Sequence, residues 1–183
     1  MAWKEKMPKV DVGKLVFLDE SGVNTNMSRR YARSAIGQRA NDAIPLNTGK
    51  SMTILSSIRL DGTIIPVFFA GAVNRERFKD YLKEHLVPKL NPGDIVIMDN
   101  LRTHKVNGVA TLIKSAGAFS IYLPPYSPDL NPIEEMWSKI KAYLRKVKAR
   151  VSDKLEQAVI DAFSTVSVSD ISGWFEHAGY SYS

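Results

Sequence analysis

The chain has no cysteine, only three histidines and no glycine-rich phosphate loop. Disulfides and thiolate-held zinc are excluded, so any metal must be held through oxygen or nitrogen. His85, His104 and His177 stand in no recognisable triad context, which leaves a serine- or cysteine-nucleophile mechanism with little support. No window approaches the roughly 18 consecutive apolar residues that a membrane span requires. The opening stretch "MAWKEKMPKVDVGK" lacks the apolar segment of a secretory signal. Internal repeats and low-complexity tracts are absent as well. These absences predict a soluble, cytoplasmic protein.

The 183 residues, 44% of them hydrophobic, suffice for one globular domain with a sizeable core. Lys and Arg number 25 against 19 Asp and Glu, a net charge of +6 that favours a polyanionic partner such as nucleic acid. Residues 1–13 are expected to be a short leader or linker remnant, with the domain occupying 14–183.

Hydrophobic periodicity sets the order of elements. Leu15–Leu18 is an apolar run expected to form a first strand that ends at a Ser21–Gly22 turn. Residues 24–50 are polar, with brief strand character at Tyr31–Ile36. "SMTILSSIRLDGTIIPVFFAG" predicts a hairpin around Asp61–Gly62. From Asn74, apolar residues at helical spacing predict an amphipathic helix that ends near Pro88. A strand over Asp94–Asn100, a weaker helix over 101–117 and a strand at "AFSIYLP" follow. "NPIEEMWSKIKAYLRKVKAR" predicts a strong helix with Asn131 as N-cap and Pro132 at the first position, and Ser152–Val166 another. This order predicts an α/β fold, a mixed sheet with helices on both faces.

Two strands end in an unusual way. "KLVFLDESG" and "DIVIMDN" each run four apolar residues straight into an aspartate, Asp19 and Asp99. By period-two alternation, Asp19 shares a face with Leu15 and Phe17, and Asp99 with Ile95 and Ile97. If the strands are neighbours, a spacing of roughly 5 Å sets two carboxylates close enough to repel strongly, and a divalent cation would remove that repulsion. Oxygen-only ligation favours Mg²⁺ or Mn²⁺. Either aspartate alone is better explained as a turn former or helix N-cap; the pair with a third acid reverses that. A third acid, Glu134, lies in "PPYSPDLNPIEEMW". With Asn131 it could form only a capping box. At about 100° per residue, however, Ile133, Trp137, Ile140 and Leu144 form the core stripe, with Glu134 at its border and Glu135 facing solvent. Ser138, Lys141 and Arg145 share Glu134's side. Three carboxylates and two Mg²⁺ suit in-line displacement at a phosphodiester.

"FLDESG", "MDNLRTHK" and "YLPPYSPDLNPIEEMWSKIK" resemble the catalytic domain of DDE transposases, specifically the bacterial insertion-sequence branch of the mariner-like superfamily. Thirty-four residues separate Asp99 from Glu134, a spacing that is itself a marker of that superfamily. The resemblance implies a ribonuclease H-like fold with a mixed five-stranded sheet. It implies Asp19, Asp99 and Glu134 as the catalytic, metal-binding acids, with Mg²⁺-dependent cleavage at element ends and transfer of the 3′-hydroxyl into target DNA. It implies supporting roles for Asn100, His104, Asn131 and Pro132, His104 either touching phosphate or metal-bound water or packing the next helix. Because two element ends must be processed together, at least a dimer, a homodimer on DNA, is expected, in association with the bacterial nucleoid. Relatives read their inverted repeats with a helix-turn-helix region, which makes such a region or polypeptide an expected partner.

The tract from Lys139 to Arg150 holds six Lys and Arg and no acid. It is either a solvated face or, beside Glu134, a DNA contact through Lys141, Arg145 and Lys148. Arg29, Arg30 and Arg33 lie where mariner-like relatives have a loop for DNA or subunit contacts. A stand-alone nuclease or resolvase of the same fold, and an inactive DNA-binding derivative, are the alternatives.

Overall fold

The computed structural model describes residue 3 and residues 10–29, 31–41, 51–100 and 108–180. Five strands form one sheet: β1 (Leu15–Val23), β2 (Met52–Arg59), β3 (Val67–Ala70), β4 (Ile95–Met98) and β5 (Phe119–Tyr122), in the order β3-β2-β1-β4-β5. β1, β2 and β3 pair antiparallel, while β4 and β5 run parallel to β1. The mixed sheet is as expected.

Alternation along the strands gives the sheet two apolar faces. Leu15 and Phe17 of β1 and Ile97 of β4 point to one side, where helices α3 (Ile133–Val147), α4 (Ser152–Ser164) and α5 (Val168–His177) cover them. Val16, Leu18, Val96 and Met98 point to the other, against α1 (Arg75–Tyr81), a π-helical turn over Leu82–Leu86 and α2 (Val109–Ser115). Complete burial of a side chain such as Phe17 stabilises by about 2–3 kcal/mol before ordering costs. Val12 packs into the first of these cores, and Trp3 donates its indole N–H to the Tyr180 hydroxyl at 3.1 Å. Among the described residues no helix is long and apolar enough to cross a membrane.

Three sequence expectations change. β1 does not turn at Ser21–Gly22; it continues to Val23 because β2 pairs with it along its whole length, with Ser21 opposite Ile54 and Gly22 opposite Thr53. Tyr31–Ile36 forms no strand: none of these residues pairs with a strand, and the side chains of Tyr31 and Ile36 stand in solvent. The hairpin is present, with Gly62 at φ +94° in its turn, but regular pairing breaks at Pro66, which has no N–H to give, and resumes at Val67. Of the helix expected over 101–117, Val109–Ser115 is helical, and 101–107 lie outside the described residues.

At the end of the sheet where β4 begins, Asp94 is completely buried. The Arg59 guanidinium grips it with two bonds of 2.6 and 3.1 Å, and the Asn91 N–H adds a third at 2.7 Å. Arg59 ends β2 and Asp94 precedes β4, so the pair bridges two strands across the intervening β1. Removing one partner leaves a buried charge without its counter-ion. Asp94→Ala is expected to lose about 3–5 kcal/mol in urea unfolding, whereas a joint apolar replacement of Arg59 and Asp94 recovers most of it. A loss below 1 kcal/mol for the single variant would show that the pair is not a clamp.

Candidate active site

Parallel pairing between β1 and β4 ends at Leu18 opposite Met98, which puts Asp19 and Asp99 at the next step of the same register. Both follow the parity of Phe17 and Ile97 and so face α3. β1 stays paired to β2 at this point, Asp19 lying opposite Ser56. Asp19 is therefore a mid-strand residue, not a strand end, and only 6% of its surface is exposed. One turn into α3, Trp137 donates its indole N–H to Asp19 Oδ2 at 3.1 Å. That bond ties the helix to the acid.

Charge is costly here. Burial pushes the Asp19 carboxyl from 3.8 up to about 7, repulsion from Glu134 and Asp99 adds to the rise, and bonds from the Glu20 backbone and Trp137 oppose it. Glu134 is also raised, first by partial desolvation; Lys141 pulls it down and Asp99 pushes it up. The three carboxylates thus sense one another across β1, β4 and α3. Asp99 and Glu134 line a cavity of about 380 Å³ with Asn100, Asn131 and the loop Leu123–Pro128. Asp19 is not among its lining residues.

The set fits a hard divalent cation in its chemistry: oxygen donors only, and a buried carboxylate, Asp19, whose charge meets no cationic partner among the described residues. Its side chains are not gathered around a point, since among the described residues no three His, Asp or Glu stand close enough to hold an ion.

A sequence profile of the family described as DDE superfamily endonuclease matches residues 14–156. The chain belongs to this family. No curated protein sequence matches significantly. Among solved structures, a Mos1 transposase paired-end complex with left transposon end superposes with a TM-score of 0.74 at 17% identity, covering 96% of this chain and 55% of that one. A mariner Mos1 paired end complex with Mg gives 0.71 at 19% identity, covering 97% and 57%. The catalytic domain of Mos1 mariner transposase gives 0.63 at 14% identity, covering 96% and 82%. These likenesses show the fold, which is ribonuclease H-like as expected. The chain spans little more than half the length of the first two.

In this member of the DDE superfamily, the remaining expected residues divide. Asn100 is exposed at the cavity, and His104 lies outside the described residues. Asn131 does not cap α3 with its side chain and no capping box forms. Its backbone is extended and its carbonyl accepts the Glu134 N–H at 3.0 Å, while its side chain lines the cavity and its buried Oδ1 has no hydrogen-bond partner among the described residues. The helix starts at Ile133, with Pro132 preceding it at φ −61°. Glu135 is exposed, its Oε1 3.9 Å from His177 Nε2.

The basic tract is not uniform. Lys139 pairs with Asp170 at 2.6 Å, and the Arg150 guanidinium donates to the Thr25 and Met27 carbonyls. These two hold the fold. Lys141 faces Glu134 electrostatically, while Arg145 and Lys146 line a surface depression together with Arg29. Lys148 ends α3 in a left-handed conformation at φ +56°, and Arg33 is exposed. Arg30 lies outside the described residues.

Trp137 was readable as core but not as the partner of Asp19. The available signal was an indole N–H in an apolar stripe three residues after Glu134, a donor that needs an acceptor when buried.

The sign of the Asp19 shift yields a test. Its folded value of about 7 lies above the unfolded 3.8, so the proton stabilises the fold fully below pH 4 and that stability is lost as pH rises through 7. In EDTA, Asp19→Asn is expected to melt roughly 5 °C or more above the parent at pH 8 and close to it at pH 4. An equal offset at both values would mean that ionising Asp19 costs the fold nothing.

Proposed function

We propose that this chain is the catalytic domain of a DNA transposase, cleaving phosphodiesters at transposon ends and transferring the freed 3′-hydroxyl into target DNA. The observation that carries it is the placement of Asp19, Asp99 and Glu134 on neighbouring β1, β4 and α3, with Asp19 buried mid-strand and its carboxyl raised by burial and by repulsion from the other two. Membership in the DDE endonucleases and the likeness to Mos1 complexes support the same chemistry.

The three acids would hold two Mg²⁺, or Mn²⁺ in their place. Such ions supply activation of the attacking water or 3′-hydroxyl and stabilisation of the leaving oxygen. Trp137 keeps Asp19 turned toward α3 by occupying one carboxylate oxygen. Lys141 offsets the charge of Glu134 and stands where a neighbouring phosphate would need a cation. Asn100, His104, Asn131 and Pro132 would shape the surroundings. Arg29, Arg33, Arg145 and Lys148, with Arg30, would contact the DNA backbone. The pairing of two element ends favours a homodimer on DNA, with end recognition assigned to a helix-turn-helix region.

Calorimetric Mn²⁺ titration and a strand-nicking assay on supercoiled plasmid test this together. Asp99→Asn and Glu134→Gln are expected to lose at least about a hundredfold in nicking, while Glu135→Gln retains parental rates. Full activity in Asp99→Asn, or the reverse ranking of the two glutamates, would remove those residues from the site. Arg145→Ala is expected to weaken binding to any duplex and lower the slope of log K against log salt by about one. An unchanged slope would return that arginine to a purely solvated role.

A further inference from the structure

The cavity beside Asp99 and Glu134 has a composition at odds with its position. Among the described residues no lysine or arginine lines it; Asp99 and Glu134 contribute two carboxylates and Leu123–Pro128 a loop. These two carboxylates by themselves would repel a bare phosphate entering this space. Pro124, Pro125 and Pro128 instead present flat, apolar rings, and the volume of about 380 Å³ is that of a small-molecule site.

Tyr126 sits in the middle of this loop with its side chain wholly in solvent, 101% exposed. Its φ is +57°, a left-handed conformation that disfavours a residue with an aromatic side chain. A large apolar ring held out of the core on a backbone that resists it gains nothing from folding. The prolines on both sides fix the chain around it, and the Ser127 hydroxyl donates back to the Pro125 carbonyl at 3.4 Å. The aromatic face is therefore presented beside the acids on a stiff mount.

We propose that Tyr126 is a stacking platform for an unstacked nucleobase of the DNA strand whose phosphate would be held by divalent ions on the acids. This inference rests on the function proposed above and adds a ligand subsite to it. Division of labour explains the lining: the charged part of the nucleotide would go to cations held by the acids, and the base, which has a π-face whatever its identity, to the tyrosine and prolines. The platform would favour frayed or single-stranded ends over continuous duplex and would read no sequence.

The test uses the full chain and a DNA duplex of arbitrary sequence carrying 2-aminopurine in a short 3′ overhang, in Mg²⁺. Stacking is expected to quench the fluorescence, with Tyr126→Phe binding within about twofold of the parent and Tyr126→Ala binding roughly 5- to 150-fold more weakly. Tyr126→Asn, which tolerates the left-handed backbone, should lose as much as alanine, separating the ring from the loop's shape. A blunt duplex with the probe base inside the stack should not distinguish the variants. Equal binding and quenching by the parent and Tyr126→Ala would overturn the platform. Mn²⁺ calorimetry on the same proteins separates this from failure of the metal site: unaltered Mn²⁺ binding with no effect of the ring sinks the platform alone. A ring effect without Mn²⁺ binding sustains the platform and removes the metal chemistry.

Discussion

A single carboxylate held out of water organises this molecule. Asp19 lies in the central strand of the sheet, where pairing with β4 stops and pairing with β2 goes on. Its charge is opposed by burial and by two other acids, and among the described residues the direct help it receives is one indole donor and one backbone N–H. A fold free to optimise stability would replace such a group with an apolar residue, as it does at Leu15 and Phe17 on the same face. The strain is tolerable because the remainder of the sheet is dry and well filled on both sides.

Each neighbouring element can be understood by what it does for that position. β4 brings Asp99 alongside by register alone, because parallel strands in step carry equivalent residues to equivalent heights. α3 crosses the same face, anchored by Ile133, Ile140 and Leu144, and its first turns deliver Trp137 to Asp19 and Glu134 to the rim. Lys139 and Arg150 then fasten that helix to α5 and to the segment after β1. Part of a tract that reads as one basic stripe is thereby spent on keeping the acids in place.

Much of this was legible because it depends on local periodicity. The apolar runs at Leu15–Leu18 and Ile95–Met98, the facing of Asp19 and Asp99, and the border position of Glu134 all follow from repeats of 2 and 3.6 residues. What escaped depends on partners far along the chain. Ser21–Gly22 has the composition of a turn, yet β2 extends the strand through it. Asn131 looks like a cap, yet its side chain belongs to the cavity wall. Arg59 and Asp94, 35 positions apart, gave no sign of being a buried pair. The α5 start was missed for a different reason: Ser167 and Asp170 form a capping box that was available in the letters "SVSD".

The Arg59–Asp94 clamp stands at the end of β4 opposite Asp99. The sheet is consequently polarised, with one margin closed by a bidentate ion pair and the other occupied by groups that would rather be apart. Such a separation matters for evolution. Changes that tighten the clamped margin can accumulate without touching the reactive one, so robustness and chemistry are free to drift independently instead of being traded against each other.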